Sequence, residues 1–288
     1  MRIDMNKISL KAILGVTALA LGLMYYVTVN FLPQLQGTTM LLTAFLIDLS
    51  LYLVVLLTIS LQLKKGAIPF SAILGKSNLN AKKLIPAVSL VILHFCVIIL
   101  GIFFVVRLML FTETGSALSL ELLMEPSVSS ELSLLPLTLK FIIAVIVGPI
   151  VEEVLFRGVL LNKLAVRFGI KKGILFSSLI FMVFHINSLF IPQLIAGLLL
   201  GIIYVKTKQI IYPILAHSLN NLIPFLLNFV PEIETPELHF EISELVSALN
   251  VLSVVFFIVM FIFIIAILKY AKQINSEVIP FRFNTRFS

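Results

Sequence analysis

Apolar blocks, each near the roughly 20 residues that a helix needs to cross a bilayer, dominate this 288-residue sequence. Short charged or proline-containing connectors separate the blocks. Hydrophobic residues make up 60% of the chain and charged residues 12%, which leaves too little polar surface to cover a water-soluble protein of this size. We predict an all-α fold, a polytopic transmembrane helix bundle of about eight spans that forms a single integral membrane domain over residues 1–288. The predicted spans are 12–32, 40–62, 85–110, 136–161, 173–189, 191–205, 210–230 and 246–268.

The charges of the connectors alternate along the chain and predict how it crosses the membrane, because cytoplasmic loops accumulate Lys and Arg. Basic residues lie at the N-terminus, in the second, fourth and sixth connectors and in the tail: Arg2, Lys7, Lys11, Lys64, Lys65, Lys76, Lys82, Lys83, Lys163, Arg167, Lys171, Lys172, Lys206, Lys208, Lys269, Lys272, Arg282 and Arg286. The third and seventh connectors are acidic and lack Lys and Arg: Glu113, Glu121, Glu125, Glu131, Glu232, Glu234, Glu237, Glu241 and Glu244. We therefore expect both termini to be cytoplasmic.

The net charge of +7 follows from this membrane topology, so no nucleic-acid partner is expected. The lipid bilayer and a membrane protein or peptide are the expected partners, and the oligomeric state is open. The Lys-, Ile- and Leu-rich composition favours a bacterial plasma membrane as the location of this multi-pass protein.

The fourth span contains two adjacent carboxylates and an arginine, in the segment Gly-Pro-Ile-Val-Glu-Glu-Val-Leu-Phe-Arg-Gly at 148–158. Each ionisable group inside a span costs about 2.5–3.5 kcal/mol on insertion scales, so such groups usually have a role. Glu153 and Arg157 are four residues apart and are predicted to pair, while Glu152 points about 100° away. Pro149 lacks the N–H that would bond to Val145, so the helix should bend or loosen there. A buried Glu–Arg pair that only fastens helices is the structural alternative.

Two further spans carry polar residues at helical spacing. Phe181 and His185, and likewise His217 and Asn221, are four residues apart and share a helix face. At 1.5 Å per residue, both histidines and Glu152 lie about 10–20 Å from the cytoplasmic ends of their spans. A lone membrane histidine is more often an interhelical hydrogen-bonding group, but three helices here bring polar groups to one depth.

Taken together, Glu-Glu-x-x-x-Arg at 152–157, Phe-x-x-x-His at 181–185 and His-x-x-x-Asn at 217–221 resemble the CPBP family of intramembrane endopeptidases (CAAX protease and bacteriocin-processing, or Abi). The resemblance covers about residues 136–225 and implies a CAAX-protease-like core. It implies an endopeptidase that cleaves a membrane-associated protein or peptide, in CAAX-type processing, in bacteriocin or peptide maturation, or in self-immunity.

The resemblance also implies roles for four catalytic residues. Glu152 and His185 would hold and deprotonate a water molecule, and His217 and Asn221 would donate hydrogen bonds to the oxyanion. Glu153, Arg157 and Phe181 would support the site.

A divalent metal is the alternative mechanism, because Glu152, His185 and His217 match the three-ligand set of some catalytic zinc sites. The sequence lacks His-Glu-x-x-His, and we favour glutamate-dependent chemistry without a cofactor over a zinc-dependent metalloprotease.

Two other functions use the same residues differently. A non-proteolytic scaffold or immunity protein would keep the fold without cleavage, and a proton-coupled transporter would also use buried Glu and His. The roles of Asp48 and His94 stay open, with interhelical hydrogen bonding favoured over participation in the site. Gly197 and Gly201 form Gly-x-x-x-Gly, which predicts close helix packing.

Overall fold

A computed structural model describes residues 3–76, 78–111, 134–185, 189–227 and 242–286, and within these ranges the chain is helical and without strands. The helices are α1 (Leu10–Asn30), α2 (Gly37–Lys65), α3 (Phe70–Leu74), α4 (Ala81–Met109), α5 (Leu134–Phe168), α6 (Ile170–Phe184), α7 (Phe190–Thr207), α8 (Ile211–Leu227), α9 (Ile242–Tyr270) and α10 (Pro280–Asn284). Each predicted span corresponds to one of these helices.

Six helices of the described ranges are long and apolar enough to cross a membrane: Leu10–Gln34, Gly37–Lys65, Ala81–Met109, Leu134–Phe168, Phe190–Thr207 and Ser243–Ser276. The polytopic helical bundle is confirmed, and the chain is an integral, multi-pass membrane protein. Two further predicted spans, 173–189 and 210–230, correspond to the shorter helices α6 and α8, which have 15 and 17 residues within the described part. Residues 186–188 and 228–230 of these spans lie outside the described residues, and the number of about eight spans stays a prediction. The motif residue His217 lies within α8, and His185 directly follows the end of α6.

The basic segments meet at one end of the bundle. Hydrogen bonds join them pairwise: Asp4 N to Gly66 O at 2.9 Å, Lys163 Nζ to Met5 O at 3.0 Å, and Lys206 Nζ to Lys272 O at 3.2 Å. The charge pattern thus groups the segments as predicted, while their cytoplasmic location stays a prediction. Lys163 and Arg167 lie within α5 and not in a connector, because the helix continues to Phe168. The acidic segments, apart from Glu244 at the start of α9, lie outside the described residues.

The buried helix α5 positions the motif residues. All eight residues from 154 to 161 are buried, because α2, α3, α6 and α7 surround this part of α5. Large apolar side chains of the outer helices are exposed instead, including Leu19 at 74%, Phe261 at 64% and Leu268 at 66%. This distribution fits a bundle whose outer surface contacts lipid acyl chains.

Close packing of α6 against α7 depends on small residues. A β-carbon added at Gly197 would lie 3.0 Å from Ser178 Cβ, and one at Gly201 would lie 3.1 Å from Ile174 Cγ2. The predicted role of the Gly-x-x-x-Gly pair in helix packing is therefore confirmed.

Candidate active site

Glu153 is the fully buried member of the acidic pair, with an exposed fraction of 0%. Its Oε1 accepts hydrogen bonds from Arg157 Nη1 at 2.7 Å and from His217 Nδ1 at 2.8 Å. Arg157 also donates from Nη2 to the carbonyl oxygen of Gly197 on α7, at 3.1 Å. The predicted Glu153–Arg157 pair is confirmed, and it fastens α5 to both α7 and α8.

Glu152 faces a different set of partners, as its position one residue earlier on the helix requires. Its Oε2 lies 3.5 Å from His185 Nε2 and 3.8 Å from His217 Nε2. Tyr52 on α2 donates from its hydroxyl to the other carboxylate oxygen, Oε1, at 3.3 Å. Glu152 Oε2 itself is buried without a direct hydrogen bond to the described residues. Three helices thus direct side chains at one carboxylate.

The second ring nitrogen of each histidine fixes its tautomer. His185 Nδ1 lies 2.8 Å from the Phe181 carbonyl oxygen, and since a carbonyl oxygen only accepts, Nδ1 carries the proton. His217 Nδ1 likewise donates to the Glu153 carboxylate. In their neutral forms both rings therefore direct the lone pair of Nε2 toward Glu152. Two acceptors cannot bond to each other, so a hydrogen bond here needs either a proton added to the imidazole or a bound molecule that donates to both atoms.

Phe181 packs among the charged groups of the site. Its ring centroid lies 4.2 Å from that of His185 and 5.7 Å from that of His217. The Arg157 guanidinium lies 4.7 Å from the same centroid, within the range of a cation–π contact. The aromatic residue of the second motif thus fixes the side chains of all three motifs.

The loosening predicted near Pro149 is confirmed as a π-helical segment over Ile142–Val147. The N–H of Gly148 bonds to the Ile143 carbonyl, and Pro149 has no N–H to offer the next carbonyl, that of Ala144. Asn221 Nδ2 on α8 donates to this Ala144 oxygen at 2.8 Å. The amide of the third motif thus satisfies the carbonyl that the proline leaves without a helical partner, and one further N–H of the amide remains.

A cavity of about 250 Å³ opens beside Glu152 and His185. Asp48 and Tyr52 of α2 and Thr17 of α1 line it together with apolar side chains. Tyr52 approaches α5 closely because of Gly148, where an added β-carbon would lie 2.8 Å from the Tyr52 hydroxyl.

Sequence reasoning missed Tyr52, although Asp48 and Tyr52 form a polar pair four residues apart in an apolar span. Asp48, whose role the sequence leaves open, lies in the wall of the site cavity. His94 lies elsewhere. It is buried and stacks on Phe263, with ring centroids 5.8 Å apart.

Within the described ranges, no three His, Cys, Asp or Glu side chains are grouped closely enough to hold a metal ion. The alternative ligand set of Glu152, His185 and His217 stays a prediction.

Residues 134–223 match the family described as Type II CAAX prenyl endopeptidase Rce1-like. The matched segment includes all three motifs and confirms the resemblance to the CAAX-protease family. No curated protein and no solved structure matches the chain.

Proposed function

We propose that this membrane helix bundle, with its Rce1-like segment at 134–223, is an intramembrane endopeptidase that activates water with Glu152. One observation carries the proposal: the Glu152 carboxylate faces two imidazole Nε2 atoms, at 3.5 and 3.8 Å, beside a cavity. A water molecule fits polar groups separated by such distances. The family match supports a CAAX-type protease.

The charge of the buried cluster indicates where a proton is held. Glu152 and Glu153 are two carboxylates, and Arg157 supplies one positive charge. Isolated charges are costly in a membrane interior, so a proton on one histidine stabilises the cluster. The proposed mechanism uses His217 for this role, since its nitrogens lie 2.8 Å from the Glu153 carboxylate and 3.8 Å from the Glu152 carboxylate.

Hydrolysis then needs one water molecule. Glu152 Oε2 and the lone pair of His185 Nε2 accept its two hydrogens, and Glu152 takes one proton as the water oxygen attacks the scissile carbonyl carbon. When the C–N bond breaks, the protonated Glu152 gives that proton to the departing amine. The products are a new carboxyl terminus and a new amino terminus, and the cluster returns to its starting charge.

The oxyanion of the tetrahedral intermediate requires hydrogen-bond donors. Protonated His217 offers Nε2–H, on the side that faces Glu152. Asn221 offers the N–H that its bond to Ala144 leaves over. Glu153 and Arg157 orient His217 and do not touch the substrate in this mechanism.

The cavity indicates the kind of substrate. Its walls are mostly apolar and come from α1, α2, α5 and α6. A second groove of about 170 Å³ between α1 and α2 shares Met24 and Leu51 with it and contains only one polar side chain, Ser50. We propose a membrane-embedded protein or peptide as the substrate, in CAAX-type processing, peptide or bacteriocin maturation or self-immunity.

The test compares membranes of cells that carry the wild-type protein or the Glu152→Gln variant. Peptides with new termini should accumulate only with the wild-type protein, whereas intact substrate should accumulate with the variant. A full biological phenotype of Glu152→Gln at normal protein level would contradict proteolysis and favour a scaffold. Solute flux driven by a proton gradient, without cleavage products, would favour a transporter.

A further inference from the structure

A basic cavity of about 470 Å³ lies at the end of the bundle where the basic segments meet. It is larger than the cavity of about 250 Å³ beside Glu152. Its charged lining residues are Lys76, Lys83, Lys206, Lys208 and Glu277. None of them belongs to the three motifs, so the proposed proteolytic mechanism does not use this cavity.

The cavity carries more positive than negative charge. Glu277 binds two of the lysines, with Oε1 3.1 Å from Lys206 Nζ and Oε2 3.0 Å from Lys208 Nζ. Lys83 donates to a neutral group, the Thr207 carbonyl oxygen, at 3.2 Å. The Glu277 carboxylate therefore meets two ammonium groups, and Lys83 adds a third positive charge to the lining that this carboxylate does not balance.

Burial makes this excess costly at Lys208, which is 8% exposed. Burial lowers the pKa of the Lys208 ammonium below its ordinary value, although its hydrogen bond with Glu277 acts in the opposite direction. Lys206 and Lys83 lower the pKa further by charge repulsion. An additional anion in the cavity would stabilise all three ammonium groups.

The N-terminus of α4 adds to the positive potential of the cavity, whereas the C-terminus of α7, whose carbonyl groups of Val205 and Thr207 accept from Lys208 and Lys83, has the opposite sign. Helix α4 begins at Ala81 with Lys82 and Lys83 in its first turn, and no acidic residue lies there. The N-terminus of a helix carries about half a positive charge and favours anions. Lysines in the first turn of a helix are therefore repelled by the helix N-terminus. An anion between the ammonium groups and the N-terminus would offset this repulsion.

The wall of the basic cavity is also tightly packed. Gly75 has φ +72°, and a β-carbon there would collide with the Lys208 carbonyl oxygen. Asn284 of α10 donates to that same oxygen at 3.0 Å. The segment after α3, the turn after α7 and the C-terminal tail are thus held together around the lysines.

We propose that the basic cavity binds a phosphate group. The three ammonium groups of Lys83, Lys206 and Lys208 around a concave site suit a group with several acceptor oxygens. The cavity lies where α4, α7 and α8 begin or end, which is the level of the phospholipid headgroups for spanning helices. A phospholipid headgroup and free phosphate share this chemistry, and the experiment separates them.

The experiment uses the purified full chain and three variants. Lys83→Gln and Lys76→Gln each remove one charge from the cavity. Lys82→Gln removes the same charge from the next position, where the side chain is exposed and does not line the cavity. Phospholipid retention is measured by native mass spectrometry after reconstitution in phosphatidylcholine nanodiscs with or without phosphatidylglycerol. Stabilisation by inorganic phosphate is measured as the thermal unfolding midpoint in a neutral detergent.

We expect Lys83→Gln and Lys76→Gln to bind about tenfold more weakly, as for the loss of one charge-assisted hydrogen bond, and Lys82→Gln to bind like the wild-type protein. Retained phosphatidylglycerol without an effect of inorganic phosphate identifies a lipid headgroup, and stabilisation by inorganic phosphate identifies the free ion. Absence of both, or equal weakening by Lys82→Gln, overturns the proposal. Cleavage activity does not enter these readouts, so the inference stands apart from the proposed function.

Discussion

Glu152 and Glu153 lie on two different faces of α5. The two carboxylates differ in the hydrogen bonds that they accept. Glu153 is fully buried and accepts two short hydrogen bonds, at 2.7 and 2.8 Å. Glu152 is 20% exposed, and its nearest partners lie at 3.3, 3.5 and 3.8 Å. Two identical side chains therefore differ in chemistry because Oε1 of Glu153 is held by two short hydrogen bonds inside the bundle, whereas Glu152 lines a cavity.

This difference shows how a membrane protein can hold a reactive carboxylate. The Glu153–Arg157–His217 cluster fixes the helices and orients the imidazole that both carboxylates share. Both carboxylates keep one oxygen, Oε2, without a direct hydrogen bond to the described residues. Of the two, Glu152 lines the cavity, so a reacting molecule can use its oxygen. Substitutions on the two faces should accordingly separate stability from activity.

Glu152→Gln should produce the largest effect on cleavage. Loss of the general base should lower the rate about 10²–10⁴-fold, while the amount of folded protein stays normal. Cleavage of the accumulated membrane substrate, relative to purified protein, measures this. Glu244→Gln, which removes an exposed carboxylate at the start of α9, is the matched control. An active Glu152→Gln protein would remove the distinction between the two faces.

Glu153→Gln should act mainly on stability. It leaves the buried Arg157 without its carboxylate, which costs about 3–5 kcal/mol when one member of a buried pair is removed. The double variant Glu153→Gln with Arg157→Met should recover much of this loss, because no charge is then left unpaired. The free energy of unfolding in bicelles checks both. A single variant as stable as the wild-type protein would be the contrary result.

Asn221→Ala should cost about 1–3 kcal/mol, because the Ala144 carbonyl loses its partner. Pro149→Ala restores an N–H near that carbonyl, so the double variant should regain part of the stability. If Asn221 also stabilises the oxyanion, the double variant stays slow although it is stable. Unfolding and cleavage are measured for the four members of this cycle, and strictly additive stability changes would contradict the link between Pro149 and Asn221.

Tyr52→Phe should have a smaller effect, since a hydrogen bond of 3.3 Å to Glu152 is lost and the ring remains. We expect less than about a tenfold fall in cleavage rate, near the 1 kcal/mol of one ordinary hydrogen bond. Tyr25→Phe, at an exposed position of α1, is the control. A loss as large as that of Glu152→Gln would assign Tyr52 a proton-transfer role.

Chelation should have no effect on cleavage by purified protein in lipid, because the proposed mechanism assigns each proton transfer to side chains. Activity is compared before and after dialysis against a strong chelator. If chelation abolishes activity and added zinc restores it, the result contradicts the proposed mechanism. It would then favour Glu152, His185 and His217 as metal ligands.

Helical periodicity predicted a large part of the site from sequence. The spacing of four between Glu153 and Arg157 predicted their pair, and the position of Glu152 predicted a separate neighbour. The similar depth of His185 and His217 predicted that they meet Glu152. These features depend on the geometry of a single helix and on the depth of a residue within its span. Both can be estimated from the local sequence.

Other features depend on how helices pack and were beyond local patterns. The contact of Tyr52 with Glu152 joins residues 100 positions apart, and helix periodicity does not specify which faces of α2 and α5 meet. The π-helical form of Ile142–Val147 follows Pro149, but the hydrogen bond to Asn221 requires α8 to lie beside it. The short length of α6 results from the departure of His185 from helical geometry, with φ −111° and ψ 38°.

The most direct test of water activation by Glu152 follows the oxygen atom of the water. Membranes that contain the wild-type protein or Glu152→Gln are incubated in H₂¹⁸O, and new carboxyl termini are analysed by mass spectrometry. We predict that wild-type membranes yield termini carrying one ¹⁸O atom and that Glu152→Gln membranes lack them. The same labelled termini at the same rate in both membranes would contradict the account.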